Sequence, residues 1–401
     1  MKIIVAGGGI GGLTAALALI QFGHDVTVLE QADAIGEIGA GLQVSPNGMR
    51  VIEALGLSDR LTAVAFQPEG IELRMGRSGR VVFDVPLGLA AEERWGAPYL
   101  HVHRADLIAV LSDSLQARAP GCIRLGARVE AYSQDAHGVT VALADGTDVS
   151  GDVLVGADGI HSRVRELMLG PDEPRFTGTV AWRAVVPVDQ LGAHLPPPTA
   201  CVWVGRQRHA VTYRLRGGAL ANFVGVVEQS DWRGESWSDE GTKAEALDHF
   251  RGWHPVIETL IRNAGTLNRW ALYDRPPLPR WTDGRVALLG DACHPMLPFL
   301  AQGAVMAMED AWVLAARLSE SGAVIGALAA YQMDRHARTT AVQAGARANT
   351  HIFHRRNLLT QLATYGPMWV AGRMVPALVQ ARNDWIYAHD ATATPQAKPL
   401  P

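Results

Sequence analysis

The sequence predicts an α/β fold: a Rossmann-like dinucleotide-binding domain interrupted by an antiparallel-sheet domain and followed by C-terminal helices. Three observations predict it. The apolar run Ile3-Ile-Val-Ala6 leads into the glycine turn Gly7-x-Gly9-x-x-Gly12 and an alanine-rich helix start. Alternating apolar segments then fill residues 176–274, separated by Gly, Pro and charged turns, the pattern of an antiparallel sheet with unlike faces. A further apolar run at residues 285–289 delivers Gly290-Asp291 back to the first domain.

Taken in order, residues 2–6 read as a buried strand, 13–22 as a helix and 26–29 as a second strand ending at Glu30, a βαβ unit. Helical periodicity marks 47–55 and 105–118, and residues 71–75 and 81–85 alternate around Gly79 as a hairpin. Strand character returns at 129–143 and at 153–155, the latter feeding Gly156-Ala-Asp158-Gly159. Strands are expected at 180–188, 200–204, 210–215 and 220–227, a long helix at 301–319, and helix from 325 to about Tyr387. The expected division is therefore a dinucleotide domain from 1–70, 99–175 and 275–330. A substrate domain comes from 71–98 and 176–274, C-terminal helices from 331–390, and a disordered tail rich in Ala, Thr and Pro from 391–401.

Composition narrows the class. A chain of 401 residues exceeds one ordinary core, and 48% hydrophobic with 19% charged residues is a globular balance. A net charge of −4 without a basic run gives no pull toward nucleic acid or anionic membrane. Three scattered cysteines support neither a disulfide framework nor a metal cluster, so a cytoplasmic location is the simplest expectation. No apolar stretch approaches the ~20 residues of a spanning helix.

The glycine turn has the context its chemistry needs, a strand before and a helix after. Gly7 permits the tight turn, Gly9 the approach of a pyrophosphate, and Gly12 close helix–strand packing. Glu30, 18 positions beyond Gly12, suits a ribose hydroxyl. In Asp158-Gly159-Ile-His-Ser162, Asp and Ser are also ordinary helix caps. The most specific stretch is Gly290-Asp291-Ala-Cys-His294-Pro-Met-Leu-Pro298-Phe-Leu-Ala-Gln-Gly303-Ala304, where a Pro-rich loop opens a helix whose free N–H groups face it.

These three motifs, in this order, resemble the FAD-dependent aromatic hydroxylases, the single-component flavoprotein monooxygenases, over nearly the whole chain. His103-Arg104-Ala-Asp-Leu, Ala181-Trp182-Arg183 and the ending Asp384-Trp-Ile-Tyr-Ala-His-Asp390 extend the resemblance. It implies FAD as cofactor, with Glu30 and Gln31 at the adenosine ribose, Arg104 reaching the flavin, Asp291 at the ribityl chain and Asp158 at the FAD and nicotinamide region. The loop from His294 to Ala304 would lie against the isoalloxazine. Gly39-Ala-Gly41-Leu-Gln43 resembles the flavin-side loop of enzymes acting on salicylate, 3-hydroxybenzoate and 6-hydroxynicotinate. The chain departs from the latter two types at Gln43, Phe299 and Pro298, and its Pro-rich loop is most similar to the salicylate type.

The resemblance implies hydroxylation of a small aromatic acid through a flavin C4a-hydroperoxide, with O2 and NADH or NADPH consumed. The protein would be a monomer or homodimer. His209 and Tyr213, four apart on one strand, share a face; His209 is the candidate base, Tyr213 the orienting hydroxyl, and Pro298 sets the loop and supplies a carbonyl. A structural cross-strand role for the His–Tyr pair is the competing reading. Arg183 or Arg214 would contribute weakly to substrate charge. Cys201 and Cys293 read as packed thiols, His351 and His354-Arg355-Arg356 as a solvated helix face, and Trp369 and Trp385 as core or subunit contact. Rivals are a reductase or dehydrogenase of the same fold without oxygen activation, an NAD-dependent dehydrogenase, and a non-catalytic FAD-binding protein.

Overall fold

The strand Lys2–Ala6 is buried along its apolar length, as the centre of a parallel sheet covered on both faces requires. It pairs in parallel with Asp25–Leu29 on one side and Val153–Gly156 on the other. Ile123–Arg124 extends one edge; Val286–Leu288 and then Thr282–Asp283 extend the other. Three distant stretches of chain thus build one sheet, and helices Ile10–Gln21 and Gly303–Ser319 pack together beside it. The computed structural model describes residues 1–36, 40–229, 239–320 and 322–393. Gly39 of the flavin-side loop and residues 394–401 of the expected tail lie outside the described residues, while Ala391–Ala393 forms a 3-10 turn.

The second sheet is antiparallel through Asn268–Asp274, Arg175–Pro187, Leu220–Glu228, Arg208–Leu215 and Ala200–Arg206. The hairpin Gly70–Met75 and Val81–Pro86 then joins it in parallel, against Ala200–Arg206. Alternation within a strand marks its buried face but not the direction of its neighbour, so that parallel joint was not foreseen. One face of this sheet packs Trp182, Trp203 and Phe223 against Phe250, Trp253 and Ile257 of the helical cover. The opposite face looks toward the parallel sheet and carries the cavity described below.

Two stretches depart from expectation. Residues 129–143 are two strands, Val129–Gln134 and Val139–Leu143, because Asp135 Oδ1 accepts from the His137 and Gly138 N–H groups and turns the chain. The C-terminal region is not one helical run. Helix Val324–Phe353 stops, His354–Arg355 pairs with Gly205 and Arg206 at the sheet edge, and Asn357 caps a new helix, Leu358–Met374. His354 is therefore buried, only 6% exposed, rather than on a solvated helix face. His351 does stand exposed. Among the described residues no helix is long and apolar enough to cross a membrane.

Candidate active site

A cavity of about 1130 Å³ runs from the C-terminal edge of the parallel sheet to the open face of the second sheet. Gly7, Gly9, Glu30, Gln31, Asp158 and Gly159 line one end, and His209, Tyr213 and Val226 the other. Arg104, Gly41, Gln43, Gly290, Asp291, Gly303 and Ala304 line the stretch between them. A site at the carboxyl ends of parallel strands is the expected place for a dinucleotide.

The glycine turn fits that ligand. Gly7 has φ +108°, and a Cβ there would meet the Ala157 carbonyl oxygen at 2.4 Å. A Cβ on Gly12 would fall 1.9 Å from the Gly7 carbonyl oxygen, so only glycine lets the helix start this close to the strand. Gly9 differs: a Cβ there would meet nothing within 4 Å among the described residues, because its position faces the cavity. Gly9 begins Ile10–Gln21 without a side-chain cap, which leaves N–H groups at the helix start for an anion. Glu30 accepts from Gly8 N at 2.7 Å and Ala32 N at 2.9 Å, fixing the turn beside the cavity.

Asp158 lines the cavity, but its carboxylate is engaged in capping. Its Oδ2 accepts from Val164 N at 3.0 Å and its Oδ1 from the Ser162 hydroxyl, at the start of helix Arg163–Leu169. Burial raises its pKa against these bonds. Asp291 opens to the cavity yet is surrounded by enough protein for burial to raise its pKa, opposed by His294 and Arg104. Arg104 feels the same burial and the Asp291 charge. Gly41 donates its N–H to Asn222 Oδ1 at 2.9 Å, and Gln43 Oε1 accepts from the Tyr99 hydroxyl at 2.6 Å.

On the substrate sheet, Arg183 stands directly opposite Val224, which stands opposite Val211. His209 and Tyr213 flank Val211 on the same strand, and all five residues line the cavity. Four residues of extended strand separate the His and Tyr Cα atoms by about 13 Å. They share a face but hold different ends of it. The Arg183 guanidinium stacks on Trp270 at 4.2 Å, and burial draws its pKa down to about 10. Arg214 points elsewhere, donating twice to the Pro196 carbonyl. Burial pushes the Tyr213 phenol up and holds the His209 imidazole well below its ordinary range.

Pro298 also lines the cavity. Its carbonyl accepts from Ala301 N at 3.1 Å inside a 3-10 turn, so one acceptor site is already used. The neighbouring Phe299 ring packs edge-on against His209, with centroids 5.0 Å apart.

Beneath this loop lies a buried polar network that motif reading missed. Asn47 donates to Gln302 Oε1 at 3.1 Å and to Glu309 Oε1 at 2.7 Å, and Gln302 donates to Ser45 Oγ. Arg335 bridges Glu309 at 2.6 Å and Asp310 at 2.7 Å, and Asp310 also holds His294. Burial alone would raise the Glu309 pKa; Arg335 and Arg338 outweigh it and hold it at about 2. The network pins the start of Gly303–Ser319 and hence the cavity loop. Cys201 sits buried beside Thr199 and Glu72, and burial pushes its thiol up to about 12. Burial raises the Cys293 thiol too. Neither is an activated nucleophile.

The family model described as an FAD binding domain matches residues 1–346. The chain is 40% identical over 354 residues to a 3-amino-4-hydroxybenzoate 2-monooxygenase of Streptomyces platensis, with 88% of each chain covered. It is 40% identical over 356 residues to the 6-hydroxynicotinate 3-monooxygenase of Pseudomonas fluorescens, covering 87% of this chain and 91% of that one. Among solved structures, Klebsiella pneumoniae HpxO complexed with FAD and uric acid superposes with a TM-score of 0.86 at 32% identity, over 97% of both chains. With the cavity and glycine turn above, these likenesses show that the chain belongs to the FAD-dependent aromatic hydroxylases and that FAD is its cofactor.

Proposed function

We propose that this protein hydroxylates a small aromatic acid carrying a ring hydroxyl, with electrons from NADH or NADPH and oxygen from O2. One observation carries the reading: Arg183, Tyr213 and His209 share the sheet face that closes a cavity whose far end is the glycine turn. The two relatives named above act, by their names, on aromatic acids with both a carboxylate and a ring hydroxyl.

Bound FAD supplies two-electron reduction by the nicotinamide and activation of O2. Gly7, Gly9 and Gly12 would let the helix start approach the pyrophosphate, and Glu30 and Gln31 would hold the adenosine ribose. Arg104, Gly41, Gln43, Asp158, Gly159, Gly290, Asp291, Gly303 and Ala304, which line the same cavity, would form the rest of the cradle. Arg183 and Tyr213 receive the substrate carboxylate at one end of the sheet face. His209, neutral at pH 7 because of its burial, accepts the hydroxyl proton at the other end. That makes the ring more nucleophilic, and a positioned base of this kind contributes about 10²–10⁴-fold. Val202, Val211, Val224, Val226 and Phe299 keep water from the ring. The Pro298 loop holds Phe299 against His209.

The test is direct. FAD-loaded protein is mixed with NADH or NADPH and O2 against salicylate, 3-hydroxybenzoate, 6-hydroxynicotinate and 3-amino-4-hydroxybenzoate. At least one acid should stimulate nicotinamide oxidation and gain one oxygen atom by mass. Full FAD content with no such stimulation would sink the reading and favour a reductase of the same fold.

A further inference from the structure

Strand pairing sets six residues in one straight row across the second sheet. Arg183 stands opposite Val224, Val224 opposite Val211, Val211 opposite Val202, Val202 opposite Leu73 and Leu73 opposite Phe83. All six line the cavity. The row is charged at its Arg183 end and apolar from there on. His209 and Tyr213 flank its third member, Val211, so the polar groups of the sheet face lie in its first half. Three further strand spacings separate Val211 from Phe83, about 14 Å of sheet surface.

The wall facing this second half is apolar too. Met368 and Ala371 of helix Leu358–Met374 and Val379 of helix Pro376–Ala381 line the cavity, each half-buried. Met368 clusters with Leu73, Phe83 and Val202, and Val379 with Phe83 and Val85. A Cβ on Gly372 would fall 2.9 Å from the Phe83 Cβ, so the helix rests directly on the hairpin. Glu72 also lines the cavity, but Arg74 holds its carboxylate in an ion pair. Leu378, 69% exposed, is a lining residue as well, so this apolar branch opens to solvent at its outer end.

We propose that the branch is a substrate subsite for an apolar substituent: the aromatic acid this protein hydroxylates carries an alkyl or aryl group on the ring position opposite its carboxylate. This rests on the reading of Arg183 as the carboxylate partner. With the carboxylate at Arg183 and the ring over Val224 and Val211, the opposite ring position points along the row to Val202, Leu73 and Phe83. A single-ring acid without that group leaves two facing apolar walls in contact with water, and covering them is the larger part of what such a pocket offers a ligand. The open end beside Leu378 sets no sharp limit on the length of the group. A substituent next to the carboxylate does not reach the branch.

The test titrates FAD-loaded protein with 4-alkylsalicylates and 4-alkyl-3-hydroxybenzoates, from the unsubstituted parent to the butyl derivative, and takes Kd from the perturbed flavin spectrum. In at least one series each added methylene should tighten binding about fourfold, and 6-alkylsalicylates should show no such gain. Ala371→Phe fills the branch from the helical wall and should flatten the series while the parent acid binds as in wild type. Met368→Gln keeps the length of the side chain, makes the wall polar and should reduce the gain per methylene; it carries the comparison if Ala371→Phe melts early. A Kd that stays flat or rises along both wild-type series, with a parent acid bound, would overturn the subsite and leave the hydroxylase reading standing. The full gain per methylene in a variant whose thermal melt matches wild type would overturn it as well. No spectral response to any acid, parent or alkylated, would overturn both readings together.

Discussion

Gly41 and Tyr213 are in van der Waals opposition: a Cβ on Gly41 would fall 2.5 Å from Tyr213 Cε2 and 2.8 Å from its hydroxyl. One residue comes from the cofactor-side strand Gly41–Val44 and the other from the substrate sheet. The two halves of the cavity meet there, through the Gly41–Asn222 hydrogen bond. Gly41→Ala is therefore expected to push Tyr213 aside. Overpacking of this kind costs about 1–3 kcal/mol, and the variant should lose Tm and bind a hydroxybenzoate more weakly. Unchanged ligand affinity by spectral titration would show that Tyr213 is not part of the substrate wall.

The glycine turn offers a contrast between folding and binding. Gly12→Ala places a methyl 1.9 Å from the Gly7 carbonyl oxygen and should destabilise the apoprotein. Gly9→Ala adds a methyl to open cavity space and should leave apoprotein stability within about 1 kcal/mol while weakening FAD binding. Thermal melts of the apoproteins and FAD fluorescence titrations separate the two effects; equal FAD affinity in Gly9→Ala and wild type contradicts the pyrophosphate assignment.

Arg183 is a buried cation on the cavity wall, stacked on Trp270. Arg183→Met keeps much of the side chain's bulk and removes its charge. It should raise KM for aromatic acids about tenfold or more, as losing a charge-assisted bond of about 1.5–3 kcal/mol implies, with FAD content unchanged. A phenol lacking the carboxylate should show no such loss. Equal effects on both ligands would rule out the carboxylate role.

Arg335 sits between Glu309 and Asp310 with all three side chains at most 1% exposed. Removing one member of a buried ionic group leaves uncompensated charge and costs about 3–5 kcal/mol. Arg335→Met should therefore unfold at lower urea concentration and bind FAD poorly, because the loop ending at Gln302 loses its anchor. A chemical denaturation curve that superposes on wild type would contradict this.

Acid should destabilise the protein from near neutrality downward. Burial lowers His24 and His354 to about 4 and His101 to about 3, so the folded state binds fewer protons there than the unfolded chain. For such groups stability is full above the unfolded value of about 6.5 and falls as pH drops below it toward the folded values. Glu309, held at about 2 by Arg335 and Arg338 against burial, adds a further loss below its ordinary value of 4.5. Tm measured from pH 8 to pH 4 should be flat above about pH 7 and decline below. A flat profile to pH 4 would show that these histidines are hydrated in solution.

The backbone demands of the glycine turn were legible in contiguous residues. Gly7, Gly9 and Gly12, Glu30 and the 290–304 stretch state backbone requirements that contiguous residues fulfil, such as a positive φ at Gly7 or a Cβ that cannot fit at Gly12. Strand alternation also put His209 and Tyr213 on one face, since period two is local. What those side chains meet depends on pairings between distant segments. Arg183 enters the cavity rather than Arg214 because of strand pairing and register. His354, read from sequence as part of a solvated helix, reaches His209 because the long helix stops at Phe353 and the next residue bridges the sheet edge at Gly205. Contacts 145 residues apart depend on where an element ends and which edge it docks on, and no local periodicity encodes that.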